Sequence, residues 1–299
     1  MLFRSPSLRI DAFSLDVMSR VQDVKKSSLT FAPEAGTQRM RDVINKGLTE
    51  EDILNGCREA FAGGWNKVKL YFMLGLPTET EEDIRGIARL CQRVAEEYYE
   101  MPKEERLKKG MGKIAITASS SFFVPKPFTP FQWAPMDTED EFLEKARIVK
   151  EEVRAQLNQR SIRYTYHHAG ISILEGVLAR GDRRVADVIE TVYRAGARFD
   201  AWSEYFDLQK WKDAFEACGI DPYFYTRRER DVSELLPWDH ISCGVSKRFL
   251  IREWERAKAG LVTPNCREQC SACGCSSFCW IGRAEECPAH ASGREERPA

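Results

Sequence analysis

Four cysteines lie within ten residues near one end of the chain: Cys266, Cys270, Cys273 and Cys275, spaced x3, x2, x1. Thiolates are soft ligands, suited to zinc or to an iron–sulfur cluster. Gly274 lets the chain bend between the last two, and Cys279, Cys287 and His290 can substitute as ligands. The segment has little apolar content from which to fold alone, so bound metal would supply its folding energy. Zinc and iron–sulfur stay equally open, and free thiols are the structural alternative. The other cysteines, Cys57, Cys91, Cys218 and Cys243, are scattered. His167–His168 offers ligands or a base, but no carboxylate stands at a local ligand spacing, so a structural pair is the simpler reading. Ser119–Ser121 lacks the glycines of a nucleophile elbow, and neither a Walker lysine motif nor G-x-G-x-x-G is present.

A second chemical signal is a turn. Val68, Leu70 and Phe72 alternate with Lys67, Lys69 and Tyr71, which predicts a strand. Gly75 and Pro77 stop it, and Thr80 with Asp83 begins an acidic helix. Ligands of α/β proteins sit at such carboxyl ends of strands. Upstream, Ser28–Ala32 reads as a strand ending in the turn Pro33–Thr37, followed by helices over Gln38–Ile44 and Thr49–Ala62. Downstream, Lys113–Phe123 reads as a third strand, running into the proline- and aromatic-rich loop Val124–Pro135. Thr138–Leu157 reads as an amphipathic helix. Alternating strands and helices predict a parallel sheet with right-handed crossovers.

The rest of the chain is predicted as a short strand at Ile162–Tyr166 and helices over Gly170–Leu178, Asp182–Ala195 and Leu208–Cys218. A helix over Asp11–Val24 and a disordered polar tail over 288–299 complete the reading. The domains expected are 1–158, an α/β unit; 159–260, a mostly helical α+β region; 261–287, a cysteine-rich metal-binding segment; and the tail. With 299 residues, a net charge of −1 and 30% charged residues, the composition demands neither nucleic acid nor an anionic membrane. No apolar run suffices for a membrane span and no signal-peptide core opens the chain, which predicts a cytoplasmic protein.

Residues 29–47 (LTFAPEAGTQRMRDVINKG), 68–84 (VKLYFMLGLPTETEEDI) and 116–133 (ITASSSFFVPKPFTPFQW), with the later PWDHISCGVSKRFL and CREQCSACGC, resemble radical S-adenosylmethionine (radical SAM) proteins that carry an N-terminal cobalamin-binding domain. The resemblance implies an incomplete (β/α)6 partial TIM barrel. Its last three strands, the fourth to sixth of the family, would end near Ala32, Leu74 and Phe123. It implies S-adenosylmethionine as cofactor, with Glu34, Gly36 and Thr37 near its ribose and methionine parts. Gly75 and Glu79 would form the adenine motif, and Val124 and Pro125 would lie beside the adenine. Glycine lets backbone approach a ligand, and a carboxylate can accept ribose hydroxyls.

One departure from the pattern is large. The family's Cys-x3-Cys-x2-Cys loop, which holds a [4Fe–4S] cluster, should precede Glu34, and no cysteine precedes Cys57. Cys266, Cys270 and Cys273 have the same spacing in the wrong context, after all three strands. The expectation is therefore a C-terminal enzyme fragment from a truncated or split gene, inactive alone, whose family performs radical chemistry with methyl or related group transfer. A separate N-terminal polypeptide would supply cluster and cobalamin. Two alternatives stand beside it: a zinc- or cluster-containing RNA-binding module, and a non-functional gene remnant.

Overall fold

The computed structural model describes residues 28–202 and 204–275. The expected helix over Asp11–Val24, the tail over 288–299 and the substitute ligands Cys279, Cys287 and His290 lie outside the described residues. Two units divide the chain: one is residues 1–124 with 137–174, the other 125–136 with 175–299.

The first unit is built on four parallel strands, β1 (Leu29–Glu34), β2 (Lys67–Leu74), β3 (Ala115–Phe122) and β4 (Ile162–Tyr166), in the order β1-β2-β3-β4. Between them run helices α1 (Gln38–Val43), α2 (Glu50–Ala62), α3 (Glu81–Glu100), α4 (Lys103–Lys108) and α5 (Glu139–Ala155). The architecture is α/β, as expected of part of a (β/α) barrel, and the sheet does not close. Three details differ from the sequence reading. β1 runs on through Pro33 to Glu34, with an irregular register after Phe31. At a sheet edge, Pro33 leaves no inner hydrogen bond unmade. The strand at 162–166 joins this same sheet as β4, pairing Ile162 with Ile116. Between α3 and β3, where the sequence reading names no element, lies the short helix α4.

One face of the sheet carries Leu29, Phe31, Val68, Leu70, Phe72, Leu74, Ile116, Ala118 and Phe122, all buried. The helices cover it with stripes at helical spacing: Ile84, Ile87, Ala88, Cys91, Val94, Ala95 and Tyr98 on α3, and Phe142, Ala146, Val149 and Val153 on α5. Burying each of the larger side chains stabilises the unit by roughly 1.5–3 kcal/mol. The Phe142 ring stacks on Phe122 at 4.5 Å, which seats the start of α5 at the carboxyl ends of the strands. The opposite face is polar. Register sets Lys69, Thr117 and Arg163 in one row and Tyr71, Ser119 and Thr165 in the next. Parallel sheets are ordinarily covered on both faces. Apolar packing on one side only, with polar rows on the other, is the pattern of an opened barrel wall.

The second unit contains α6 (Ala169–Arg180) from residue 175 onward, α7 (Val185–Arg194), α8 (Leu208–Ala217), α9 (Pro222–Thr226) and α10 (Lys247–Lys258). The proline-rich stretch belongs to it. Within the proline-rich loop, Pro130–Trp133 forms a 3-10 turn. Pro130 stands at the first position of that turn, where a missing N–H costs nothing. Buried Arg180 donates to the carbonyls of Ala134 at 2.9 Å and Thr226 at 3.2 Å, and Trp238 Nε1 donates to Gln132 Oε1 at 2.7 Å. These bonds hold residues 132–136 as part of the unit.

Candidate functional site

β1, β2 and β3 end side by side, with Leu74 opposite Phe122 and Glu34 opposite Phe72. The expected residues therefore fall on neighbouring loops: Glu34 to Thr37 after β1, Gly75 to Glu79 after β2, Val124 after β3.

Glu34 closes β1 in a left-handed conformation, φ 67°, and Thr78 in the second loop has φ 68°. Both are non-glycine residues, for which that region is costly, and such strain gathers at ligand sites. The Glu34 carboxylate pairs with Lys46 Nζ at 3.1 Å and stays partly exposed. Gly36 does not offer open space: a Cβ there would lie 2.2 Å from Ile87 N and 2.4 Å from Gly86 C. It is the point where the β1 loop meets the backbone of α3. Thr37 caps α1, accepting from Met40 N at 3.3 Å, and donates to Asp83 Oδ1 at 2.6 Å.

Gly75 has φ 84°, and its N–H donates to Glu79 Oε2 at 2.8 Å. The Glu79 side chain is 4% exposed and pairs with Lys145 Nζ at 3.1 Å, which also reaches Asp137 Oδ2 at 2.7 Å. Glu79, which the resemblance places in the adenine motif, closes its own turn. Burial pushes its carboxyl up to about 7, with Lys145 and the Gly75 N–H only partly offsetting the cost. Lys145 is itself desolvated, but Glu79 and Asp137 outweigh this and raise it. Val124 is half-buried and follows Phe123, whose N–H donates to Leu74 O at 2.8 Å. Pro125 is buried and is the first residue of the second unit.

Two partners escaped the sequence reading, Lys145 and Asp137 beneath the second turn. His167, read from the sequence as one of a structural pair, donates its backbone N–H to Ser120 O at 3.0 Å and stands at the end of β4. Thr138–Leu157 was legible as a helix, but nothing local marks which of its lysines reaches back to Glu79.

The Glu79 environment carries a pH signature. Its carboxyl titrates near 4.5 unfolded and near 7 folded, so the native state holds the extra proton between these values. Stability therefore falls as pH rises from about 4.5 to about 7, by on the order of 3 kcal/mol. Glu79→Gln, which cannot ionise, is expected to flatten that limb in urea unfolding followed across the same pH range. An unchanged slope would contradict the assignment.

The strand ends, the strained Glu34 and the Gly75–Glu79 turn lie along one end of the sheet. Residues 2–91 match the Radical SAM superfamily. An uncharacterized protein of Methanocaldococcus jannaschii, MJ0966, is 32% identical over 218 residues, covering 72% of this chain. The match takes in 43% of that protein, so this chain spans less than half of its relative's length.

The radical SAM match implies S-adenosylmethionine and a [4Fe–4S] cluster, and the residues present fit the two differently. At the strand ends, backbone, the partly exposed Glu34 carboxylate and two strained loop residues suit a ligand with apolar and hydroxyl surfaces. The cluster finds no ligands in the first unit. Its cysteines are Cys57 and Cys91, both fully buried in α2 and α3. Burial pushes both thiols up, Cys91 to about 12, the reverse of what a metal thiolate needs. In the second unit, Cys266 and Cys270 are exposed and Cys273 and Cys275 half-buried. Among the described residues, no three Cys, His, Asp or Glu side chains converge as a metal site. Among the same residues, no helix is long and apolar enough to cross a membrane.

Proposed function

We propose that residues 29–124, with α5, form the S-adenosylmethionine-binding part of a radical SAM enzyme. The adenosyl group sits at the carboxyl ends of β1, β2 and β3. The observation that carries this reading is the adjacency of three strand ends, each bearing its own piece of the expected motif. S-adenosylmethionine would supply radical chemistry there only when a reduced cluster delivers the electron. The chain's own residues orient it: the backbone of 74–77 and Val124 flank the base, and Glu34 offers a carboxylate to hydroxyl or amino groups. Radical cluster and cobalamin are assigned to polypeptide outside this sequence, and methyl or related group transfer to the assembled enzyme. The greater length of the Methanocaldococcus jannaschii relative and the inert thiols of the first unit support that assignment.

The expected result is binding without turnover. Reconstituted anaerobically with iron, sulfide and a low-potential reductant, this chain alone forms no 5′-deoxyadenosine. Stoichiometric 5′-deoxyadenosine from the pure chain would overturn the division of labour.

The thiols at Cys266, Cys270, Cys273 and Cys275 are assigned to zinc or an iron–sulfur cluster on their spacing. Elemental analysis is expected to find metal in the purified chain and to lose it in Cys270→Ser. Metal-free wild-type protein would remove this assignment.

A further inference from the structure

Beneath the turn that follows β2, two carboxylates meet one ammonium. Lys145 Nζ lies 3.1 Å from Glu79 Oε2 and 2.7 Å from Asp137 Oδ2. The Glu79 carboxylate also takes the Gly75 N–H. From the other side, a Cβ on Gly75 would meet Phe142 Cε1 at 2.6 Å and Asp137 Oδ2 at 2.7 Å. The turn is thus fitted against one segment, Asp137 to Lys145, which lies outside the Gly-x-x-x-Glu motif. The charges are unequal, one cation against two carboxylates. Tyr164 on β4 is held neutral by burial, with the Glu79 charge acting in the same direction, so it adds no third negative charge. Without Lys145, the buried Glu79 carboxylate and the half-buried Asp137 carboxylate would oppose one another, and Glu79 would hold its proton to higher pH. The charge-assisted bond from Gly75 N–H would weaken with it.

We propose that Lys145 is the positioning residue of the adenosyl-binding turn: its ammonium bridges Glu79 and Asp137 and so holds the backbone of residues 75–77 in the form that receives the ligand. The identity of the ligand rests on the function proposed above. The fastening of the turn is a property of the free protein and is tested separately.

The experiment compares wild type, Lys145→Arg and Lys145→Met. In ligand-free protein, amide exchange at Gly75, corrected for intrinsic rate, and the titration of the Glu79 carboxyl carbon are followed by NMR from pH 6 to 9. Calorimetry with S-adenosylhomocysteine, the unreactive probe, is run on the same samples. Lys145→Met is expected to raise the Glu79 midpoint, speed Gly75 exchange about tenfold and weaken the probe about tenfold, with Lys145→Arg restoring most of each. A merely structural loss would speed exchange across β2 and β3 together; the positioning role moves Gly75 and spares Leu70 and Ala118. A folded Lys145→Met with wild-type Gly75 exchange and Glu79 midpoint overturns the proposal. If Lys145→Met does not fold, Gly75 exchange in wild type must still track the Glu79 midpoint, and its independence of pH overturns the proposal equally. Wild type that fails to bind the probe while Gly75 responds to Lys145 would sink the adenosyl reading and leave the fastening intact.

Discussion

Gly36→Ala is expected to destabilise the first unit by about 3 kcal/mol or more, the largest effect of any single methyl group at these loops. The added Cβ would lie 2.2 Å from Ile87 N, 2.4 Å from Gly86 C and 2.8 Å from Ile87 Cα. All three are backbone atoms of α3, so no side chain can turn aside. The helix must move away from β1, and its stripe from Ile84 to Tyr98 would lose contact with the sheet. Gly47→Ala is the control: that glycine has φ 61° and no heavy atom within 4 Å of its Cβ position. It should cost only the strain of a left-handed alanine, about 1 kcal/mol. Urea unfolding of the two variants separates close packing from backbone strain. Equal, small losses would contradict the packing. Failure of Gly36→Ala to bind ligand would then follow from the displaced helix and says little about direct contact.

Asp83→Ala is the second large effect, expected to cost about 3 kcal/mol. This carboxylate is 5% exposed and accepts from Thr37 Oγ1 at 2.6 Å, Thr80 Oγ1 at 2.6 Å, Thr80 N at 2.9 Å and the Arg39 guanidinium. It joins the loop after β1 to the first turn of α3, the two elements that flank the candidate site. Burial alone would raise its pKa. The bonds from Arg39, Thr37 and Thr80 outweigh burial and hold it down at about 2, against 3.8 unperturbed. A depressed carboxyl stabilises the fold above its unfolded pKa, and that stability is lost as pH falls from about 3.8 toward 2. Wild type should therefore show an acid limb there that Asp83→Ala lacks. A variant within 1 kcal/mol of wild type at pH 7, with the acid limb preserved, would show that the carboxylate does not join the two loops.

How much of this was legible depended on distance along the chain. The unit from Lys67 to Glu100 could be read directly, because alternating Val68, Leu70 and Phe72 and the Thr80–Asp83 pair are local signals. The end of β1 could not. Pro33 reads as a breaker and is tolerated only because β1 lies at an edge of the described sheet. β4 was legible as a strand but not as a member of this sheet, since membership lies in its pairing with β3. α10 was missed because Leu250, Trp254 and Ala257 form a narrow stripe among seven charged residues. At the site, Gly75 and Glu79 were found because they are contiguous. Their physical roles were not, because Phe142 and Lys145 on α5, and Asp137 just before it, come from a distant stretch of chain. Gly36, expected near a ligand, also seats its loop against α3, an approach that no local signal marks.

The central claim is that three strand ends receive one adenosyl group. Hydrogen exchange with increasing S-adenosylhomocysteine tests it most directly. The account predicts saturable protection confined to residues 34–37, 75–79 and 122–124, weakened in Glu79→Gln. No saturable protection, or protection confined to residues 246–275, would contradict it.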